Sequence, residues 1–366
     1  MRYLATWMCL LLSGCLPHQD ETVVTFFNKG EFPARLSEWG IVYVKAGELV
    51  VNKGVIPYDL NTSLFTDYAH KLRTVWLPPG STATYDSLND IKLPPGSIVS
   101  KTFYYPRQAG ELLNVAKSDL QYSSHGLDME QVRLIETRLL VHLESGWHGL
   151  PYVWNDSQTE AWLEVTGATA QLTLKDEQQF TYVVPDSNQC QECHVDNFTT
   201  GVMNLLGIKS RHINKNNSHF NKSKNQLVYW QEVGILPELP PAHTLPRNAI
   251  WDSPMDTLDH RARSYLDINC AHCHNPNGAD TSALFLDISE SDPLRLGMCK
   301  PPVAAGQGSG GRLFGIEPGN AEGSILTFRM QSLDLNAMMP ELGRSTVHNQ
   351  GVRLIGNWIN ALEGEC

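Results

Sequence analysis

The stretch RLIETRLLVHLESGWHGLPYVW, residues 133–154, decides the fold class of the first half of this chain. Residues 133–143 are rich in apolar and β-branched side chains, a composition that predicts one long strand. Ser145 and Gly146 predict a turn, and a second strand begins at Tyr152-Val153-Trp154. The stretch therefore indicates neighbouring antiparallel strands.

Similar short runs of aromatic and β-branched residues, separated by turn residues, continue on both sides of this stretch. Thr166-Gly167 is a turn signal on one side, and Pro94-Pro95-Gly96 is one on the other. We therefore expect residues 25–185 to form an antiparallel β-rich domain, as a sandwich or a barrel.

Four of the eight cysteines belong to two copies of the pattern CxxCH. The residues of the two copies are Cys190, Cys193 and His194, and Cys270, Cys273 and His274. CxxCH is the attachment site of c-type haem, in which two thioethers hold the porphyrin and the histidine ligates the iron. The sequence therefore predicts two covalently bound c-type haems as cofactors.

A zinc site built from the two CxxC pairs is the alternative. Histidine makes up 13 of 366 residues. A histidine that follows both pairs by chance is therefore roughly a one-in-a-thousand event. Haem is the better interpretation, and it requires export, because covalent attachment takes place outside the cytoplasm.

The N-terminus has the features of a secretory signal: Arg2, a short apolar run, and LSGC at residues 12–15. The last four residues are similar to a bacterial lipobox, so we expect residues 1–14 to be a signal peptide and Cys15 to carry the lipid. An uncleaved anchor is the alternative, but the apolar run has about ten residues where a membrane span needs about twenty.

The residues after the predicted lipid give the expected location. Residues 15–24 are short and polar, and they predict a lipidated tether. Leu16, in place of an aspartate, fits sorting to the outer membrane. We expect a cell-envelope lipoprotein that faces the periplasm, is anchored in the outer membrane and contacts the membrane through its lipid only.

Two cysteines remain once the motifs and the signal are assigned. Cys9 lies inside the predicted signal peptide, which leaves Cys299 and Cys366. Two thiols in an oxidising compartment are expected to form a disulfide.

The charge of the chain limits its partners. It has 28 basic and 39 acidic residues, for a formal net charge of −11, and loss of Arg2 with the signal would make this −12. An acidic surface argues against nucleic acid as a partner. It favours a periplasmic redox partner with a basic docking patch.

Helical signals flank the second CxxCH motif. Leu258, Ala262, Tyr265 and Leu266 form a helical stripe that ends at Asn269. A final helix is predicted from the apolar residues Ile355, Trp358, Ile359 and Leu362. We therefore expect residues 250–366 to be a cytochrome c-like domain with the second haem.

The first motif has different surroundings. It follows a predicted strand and Pro185, so no helix is expected to lead straight into it. A helix is predicted near 222–235, and residues 186–249 are assigned to the first haem. The predicted fold class is thus α+β: an N-terminal antiparallel β-rich domain followed by an α-helical cytochrome c-like region with two haem sites.

Several further stretches, together with the two CxxCH motifs, carry a resemblance. They are SLFTDYA at 63–69, KTF at 101–103, ETRL at 136–139, GLPYVWN at 149–155, RARSYL at 261–266 with Asn269, and MPELG at 339–343. The chain resembles a family of dihaem c-type cytochrome lipoproteins of Gram-negative bacteria. The resemblance implies electron transfer in the periplasm, with a parallel β-helix protein as an associate.

The axial ligands are predicted unequally for the two irons. His274 and Met339 are expected for the second haem, since a Met-Pro loop precedes the final helix; Met338 and Met330 are alternatives. His194 is the proximal ligand of the first haem. Its distal position is left open between no ligand, Met203 and a histidine at 70, 125, 142, 148, 212, 219 or 243.

Three functions are compatible with these residues. The first is an electron carrier between redox partners. The second is a peroxidase-like dihaem oxidoreductase, with the first haem as an open catalytic iron and the second as electron relay. The third is a binding module with vestigial haems. A basic stretch, Lys209, Arg211, Lys215, Lys222 and Lys224, predicts either a docking site or, more simply, a solvated loop.

Overall fold

The computed structural model of the protein describes residues 23–113, 126–175, 177–195, 197–217, 223–279, 282–303 and 305–366. The predicted signal peptide and the predicted lipidation site Cys15 lie outside the described residues. Within these ranges, none of the helices is long and apolar enough to cross a membrane.

The described residues contain fourteen strands. They are β1 Val42–Lys45, β2 Glu48–Val51, β3 Ile56–Tyr58, β4 His70–Trp76, β5 Ile98–Gln108, β6 Glu111–Leu112, β7 Leu127–Asp128, β8 Val132–Leu143, β9 Gly146–Trp154, β10 Ala161–Leu163, β11 Ala168–Thr173, β12 Gln179–Val184, β13 Asn216–Asn217 and β14 Lys224–Asn225.

Helices are short in these ranges. The α-helices are α1 Ser187–His194, α2 Ser210–Ile213, α3 Gln226–Glu232, α4 Leu258–Asn269, α5 Ile325–Gln331 and α6 Asn349–Asn360. The 3-10 helices are Leu36–Trp39, Ala242–Thr244 and Gly306–Ser309.

The central sheet is antiparallel, in the order β10-β9-β8-β5-β4-β3, with β6 beside the end of β5. The hairpin predicted from residues 133–154 is confirmed: β8 and β9 pair, with Leu143 opposite Gly146. Strand β9 begins at Gly146 and not at Tyr152, because Gly149 and Pro151 are poor strand formers that conceal its first half in the sequence.

Both faces of the central sheet are covered, so β8 is buried along most of its length instead of alternating. One face packs around Trp39, together with β1 and β2. The opposite face, which includes Val99 and Leu140, packs on the segment that carries Cys190 and Met203. The first CxxCH motif is thus part of a core shared with the sheet.

The predicted fold class is wrong. The protein is mostly β-sheet, with 26% strand against 19% helix, and the helix is divided among six short pieces in the described residues. Helix α4 does lead into the second motif, and α6 follows near the C-terminus. Between them the chain is largely irregular, because prolines and glycines such as Pro276, Gly278, Pro293 and Pro301 interrupt regular structure. An α-helical cytochrome c-like region is therefore not present in the part of the chain that the structure describes.

Helices α4 and α6 nevertheless share a core. Ala262 and Leu266 of α4 pack with Ile355 and Trp358 of α6. The indole N–H of Trp358 also donates to Asp259 Oδ1 at 2.9 Å. The second CxxCH motif begins at the end of this packed pair.

Candidate functional site

The first CxxCH motif lies within helix α1, so the expectation that no helix adjoins it is wrong. Asp186 is the N-cap residue, and its carboxylate accepts hydrogen bonds from the backbone N–H groups of Asn188 and Gln189. The side chain of Gln189 accepts one in return from Asp186 N. This capping box lets a helix begin just after Pro185.

Helix α1 rests on strand β9 of the central sheet. A Cβ atom at Gly149 would lie 3.4 Å from Cβ of Cys190, so the helix approaches the strand backbone closely. Cys190 is buried, while Cys193 and His194 are partly exposed. Burial raises the pKa of both thiols.

His194 is held by a reciprocal pair of hydrogen bonds to Asn204. Its Nδ1 lies 2.7 Å from Asn204 O, and Asn204 N donates to His194 O, also at 2.7 Å. A carbonyl oxygen can only accept, so Nδ1 carries the proton and Nε2 keeps its lone pair. This is the tautomer and the backbone support that metal-binding histidines have.

Three cations lie side by side on the sheet face below the first motif. The strand register places Arg73 opposite Lys101, and Lys101 opposite Arg138. Arg73 pairs with Asp59 at 3.3 Å, and Arg138 donates two hydrogen bonds to Glu136. We call these three residues the cationic row. Burial, with the two guanidinium groups, lowers the pKa of Lys101 to about 7.

The surroundings of His194 keep its imidazole neutral. Burial is the main cause of a pKa of about 3, and the charges of Lys101, His272 and Arg138 lower it further. A neutral imidazole is the form that binds a metal.

The second CxxCH motif continues from α4 into a tight turn. Asn275 holds this turn: its side-chain N–H groups donate to Ala271 O and His272 O at 3.0 and 3.1 Å, and its Oδ1 accepts from Asn277 N at 2.9 Å. Gly278 is required here, since a Cβ atom would collide with the carbonyl oxygen of Cys273.

Cys270 lies against the core of α4 and α6, and burial raises the pKa of its thiol to about 12. His272, in the spacer between the two cysteines, is partly exposed, but its Nδ1 is buried and has no hydrogen-bond partner among the described residues. Burial and the charges of His274, Lys101 and Lys209 lower its pKa to about 4.

The segments that flank the two motifs are in contact. Phe198 N, just after the first motif, donates to Asn277 O, just after the second, at 2.8 Å. Ile268 of α4, just before the second motif, packs in the same core cluster as Cys190 and Val195. These contacts place the two CxxCH motifs on adjoining segments of the fold.

A buried ion-pair network joins helix α2 to helix α4, which leads into the second motif. Arg211 of α2 donates two hydrogen bonds to Asp267 of α4, at 2.8 and 2.9 Å, and one to Asp287 at 2.7 Å. Asn248 also donates to Asp267, at 2.7 Å. Burial opposes the charge of Asp267, but Arg211, His212 and Asn248 together hold its pKa far below the usual value.

The loop of Met339 is supported by two arginines. Met339 N donates to Arg329 O at 3.0 Å, and Arg329 Nε donates to Ala337 O at 2.9 Å. Arg344 donates to Arg329 O and, at 2.8 Å, to Ser332 O. Met339 is partly exposed, whereas the alternatives Met338 and Met330 are buried in packing contacts.

Asp67, three residues before strand β4, binds the end of the same loop. Its carboxylate accepts hydrogen bonds from Ser345 N, Thr346 N and the Thr346 hydroxyl, at 2.7 to 2.9 Å. Asp67 and Tyr68 both have positive φ, 45° and 63°. Such strained backbone is typical of positions that the surrounding structure holds for a function.

The residues present fit covalent haem. Each motif offers two thiols and a histidine, and His194 Nε2 is available to iron because its Nδ1 is occupied by Asn204. The raised pKa of Cys190, Cys193 and Cys270 suits a redox dithiol poorly, since such a pair needs a thiolate. In the described part of the chain, no three Cys, His, Asp or Glu side chains converge on a metal position.

Most distal candidates for the first iron are placed elsewhere. Met203 directly precedes Asn204, whose carbonyl oxygen bonds to His194 Nδ1, and packs into the core. His142 stacks on Trp147 at 4.3 Å, and His212 belongs to the Asp267 network. The remaining described candidates are His70, which faces Tyr104, His148, which bonds to Ser145, and the exposed His243. His125 and His219 lie outside the described residues.

Sequence reasoning missed His272, Lys101 and Asn204. His272 occupies a spacer position of the second CxxCH motif, to which the motif itself gives no role. Lys101 stands in the stretch KTF, and its type and spacing alone indicate no function. Asn204 acts through its backbone, for which the side-chain sequence gives no signal.

Two other groups of predicted residues can be located. Cys299 and Cys366 form a disulfide, with Cα atoms 5.2 Å apart. The basic stretch is not a free docking surface in its described part: Arg211 is buried, Lys215 pairs with Asp59 and Lys224 with Glu232.

No known protein family, curated protein or solved structure matches this chain.

Proposed function

We propose that the protein is a dihaem c-type cytochrome that transfers electrons between redox partners. Two complete CxxCH motifs on adjoining segments carry this proposal, because the protein would then hold two redox centres near each other. The hydrogen bond from His194 to Asn204 O supports it further, since it prepares Nε2 for iron. Bound haem would supply a one-electron iron couple.

The chain's own groups would bind and tune the two centres. Cys190 and Cys193 would hold the first haem on the sheet, and Cys270 and Cys273 would hold the second at the end of α4. The cationic row would favour the reduced state at the first site, because a nearby positive charge opposes oxidation of iron. Met339, on its supported loop, is the proposed partner of His274.

We further propose the setting expected from the resemblance to dihaem cytochrome lipoproteins. The protein would be anchored by a lipid at Cys15, in the outer membrane, and face the periplasm. Its net charge of −11 favours a partner with a basic docking patch.

Removal of one motif at a time tests the function. Cys190→Ala/Cys193→Ala and Cys270→Ala/Cys273→Ala should each lose one covalent haem and one wave of a redox titration, while the wild type shows both. A Cys299→Ser/Cys366→Ser variant is the control, because it loses a disulfide and should keep both haems. Full haem content in both motif variants would refute the proposal.

A further inference from the structure

We propose that His272 is the second axial ligand of the iron that His194 binds. This inference rests on the proposed haem function and deepens it: the attachment loop of the second haem would complete the coordination of the first.

The position of His272 is the first argument. Its loop is joined to the loop of the first motif by the hydrogen bond from Phe198 N to Asn277 O at 2.8 Å. Ile268, four residues before His272, packs in the same core cluster as Cys190 and Val195 of the first motif. Met203 directly precedes Asn204, whose carbonyl oxygen bonds to His194 Nδ1, and it is buried in the core.

The unsatisfied nitrogen of His272 is the second argument. Its Nδ1 is buried and has no hydrogen-bond partner among the described residues. An unsatisfied buried polar atom costs about 1–3 kcal/mol, and coordination to iron would remove that cost. His142 also has an unsatisfied Nδ1, but its ring is stacked on Trp147 in strands β8 and β9.

The support of the loop is the third argument. Asn275 donates to Ala271 O and His272 O, on both sides of the residue that would bind iron. Gly278 packs against the Cys273 backbone without room for a side chain. The backbone of His272 is therefore held in place by the protein itself, as a ligand of a rigid haem requires.

Spin state tests the assignment. In the protein loaded with both haems, EPR should show two low-spin irons. His272→Ala should convert one iron to high spin, and added imidazole should restore it. The absorption band of a methionine–iron bond should persist, which shows that the second haem is intact. His272→Gln should behave like His272→Ala, and it covers the case in which the alanine variant fails to fold.

Lys101→Met is the matched control, because it changes a polar residue on the sheet at the same site that is not a candidate iron ligand. It should leave both irons low-spin. Two low-spin irons in His272→Ala, a high-spin iron in Lys101→Met, or a high-spin iron in the wild type would each overturn the assignment of His272. Absence of covalent haem from the wild type would instead refute the proposed function itself.

Discussion

The two CxxCH motifs have the same residues but are held in different ways. The first lies in a capped helix on the central sheet, beside the cationic row, with its histidine fixed by the Asn204 carbonyl. The second lies in a turn after α4, held by the side chain of Asn275 and by the core of α4 and α6. The same motif thus stands in two different environments.

The difference bears on how the two proposed haems would behave. The sheet places Lys101 and Arg138 near the first motif; of the two, Lys101 is also among the charges that act on the pKa of His272 in the second motif, and Arg138 is not. Charge near an iron shifts its potential, so identical attachment sites would give unequal redox centres. Unequal centres in contact would give an electron a preferred direction.

The largest effect is expected from the network that joins the two regions. Asp267→Ala would leave the buried guanidinium of Arg211 without its main partner and should lower the free energy of unfolding by about 3–5 kcal/mol. Urea unfolding measures this. Asp156→Ala is the control, because that exposed carboxylate also faces an arginine, Arg133, and should have no measurable effect. Equal effects of the two variants would show that the network does not join the motifs.

Acid should weaken the same junction. Burial lowers the pKa of His212 from its ordinary 6.5 to about 4. Between these values the unfolded chain binds a proton that the folded chain does not, so stability falls as pH falls from about 6.5 to 4, by at most about 1.4 kcal/mol per pH unit. His212→Asn should flatten this slope in urea unfolding curves; an unchanged slope would contradict the account.

Smaller and local effects should separate the two motifs. Asn275→Ala removes three hydrogen bonds and should lower the free energy of unfolding by about 1–3 kcal/mol, with faster amide exchange in residues 271–278.

Asp186→Ala removes the cap of helix α1 and should lower the free energy of unfolding by about 1 kcal/mol, with faster amide exchange in α1. If either variant loosens both motifs equally, they are not held independently.

The sequence predicted the local hairpin better than the architecture. Each CxxCH motif and the β8–β9 turn consist of residues that are adjacent in the chain, so the sequence alone reveals them. The sequence does not predict the helix at the first motif, because Pro185 suggests that no helix leads into it. The capping box of Asp186 lets the helix begin at Ser187. The contact between Phe198 and Asn277 joins residues far apart in the chain through backbone atoms, and no side-chain pattern records it.

The smallest predicted change is electrostatic. Below a pH of about 7, where Lys101 carries its proton, Lys101→Met should lower the potential of the first haem more than that of the second, because a positive charge near the first motif is lost. Spectroelectrochemical titration measures both. Lys53→Met, at an exposed position outside the row, should change neither. Equal shifts of the two reduction potentials would show that Lys101 does not distinguish the two sites electrostatically.

The intact mass of the mature protein under denaturing conditions tests the central claim most directly. After production with the c-type haem maturation machinery, the account predicts a mass increase of two haems that survives acid–acetone extraction. An unmodified polypeptide mass, or haem that extraction removes, would contradict it.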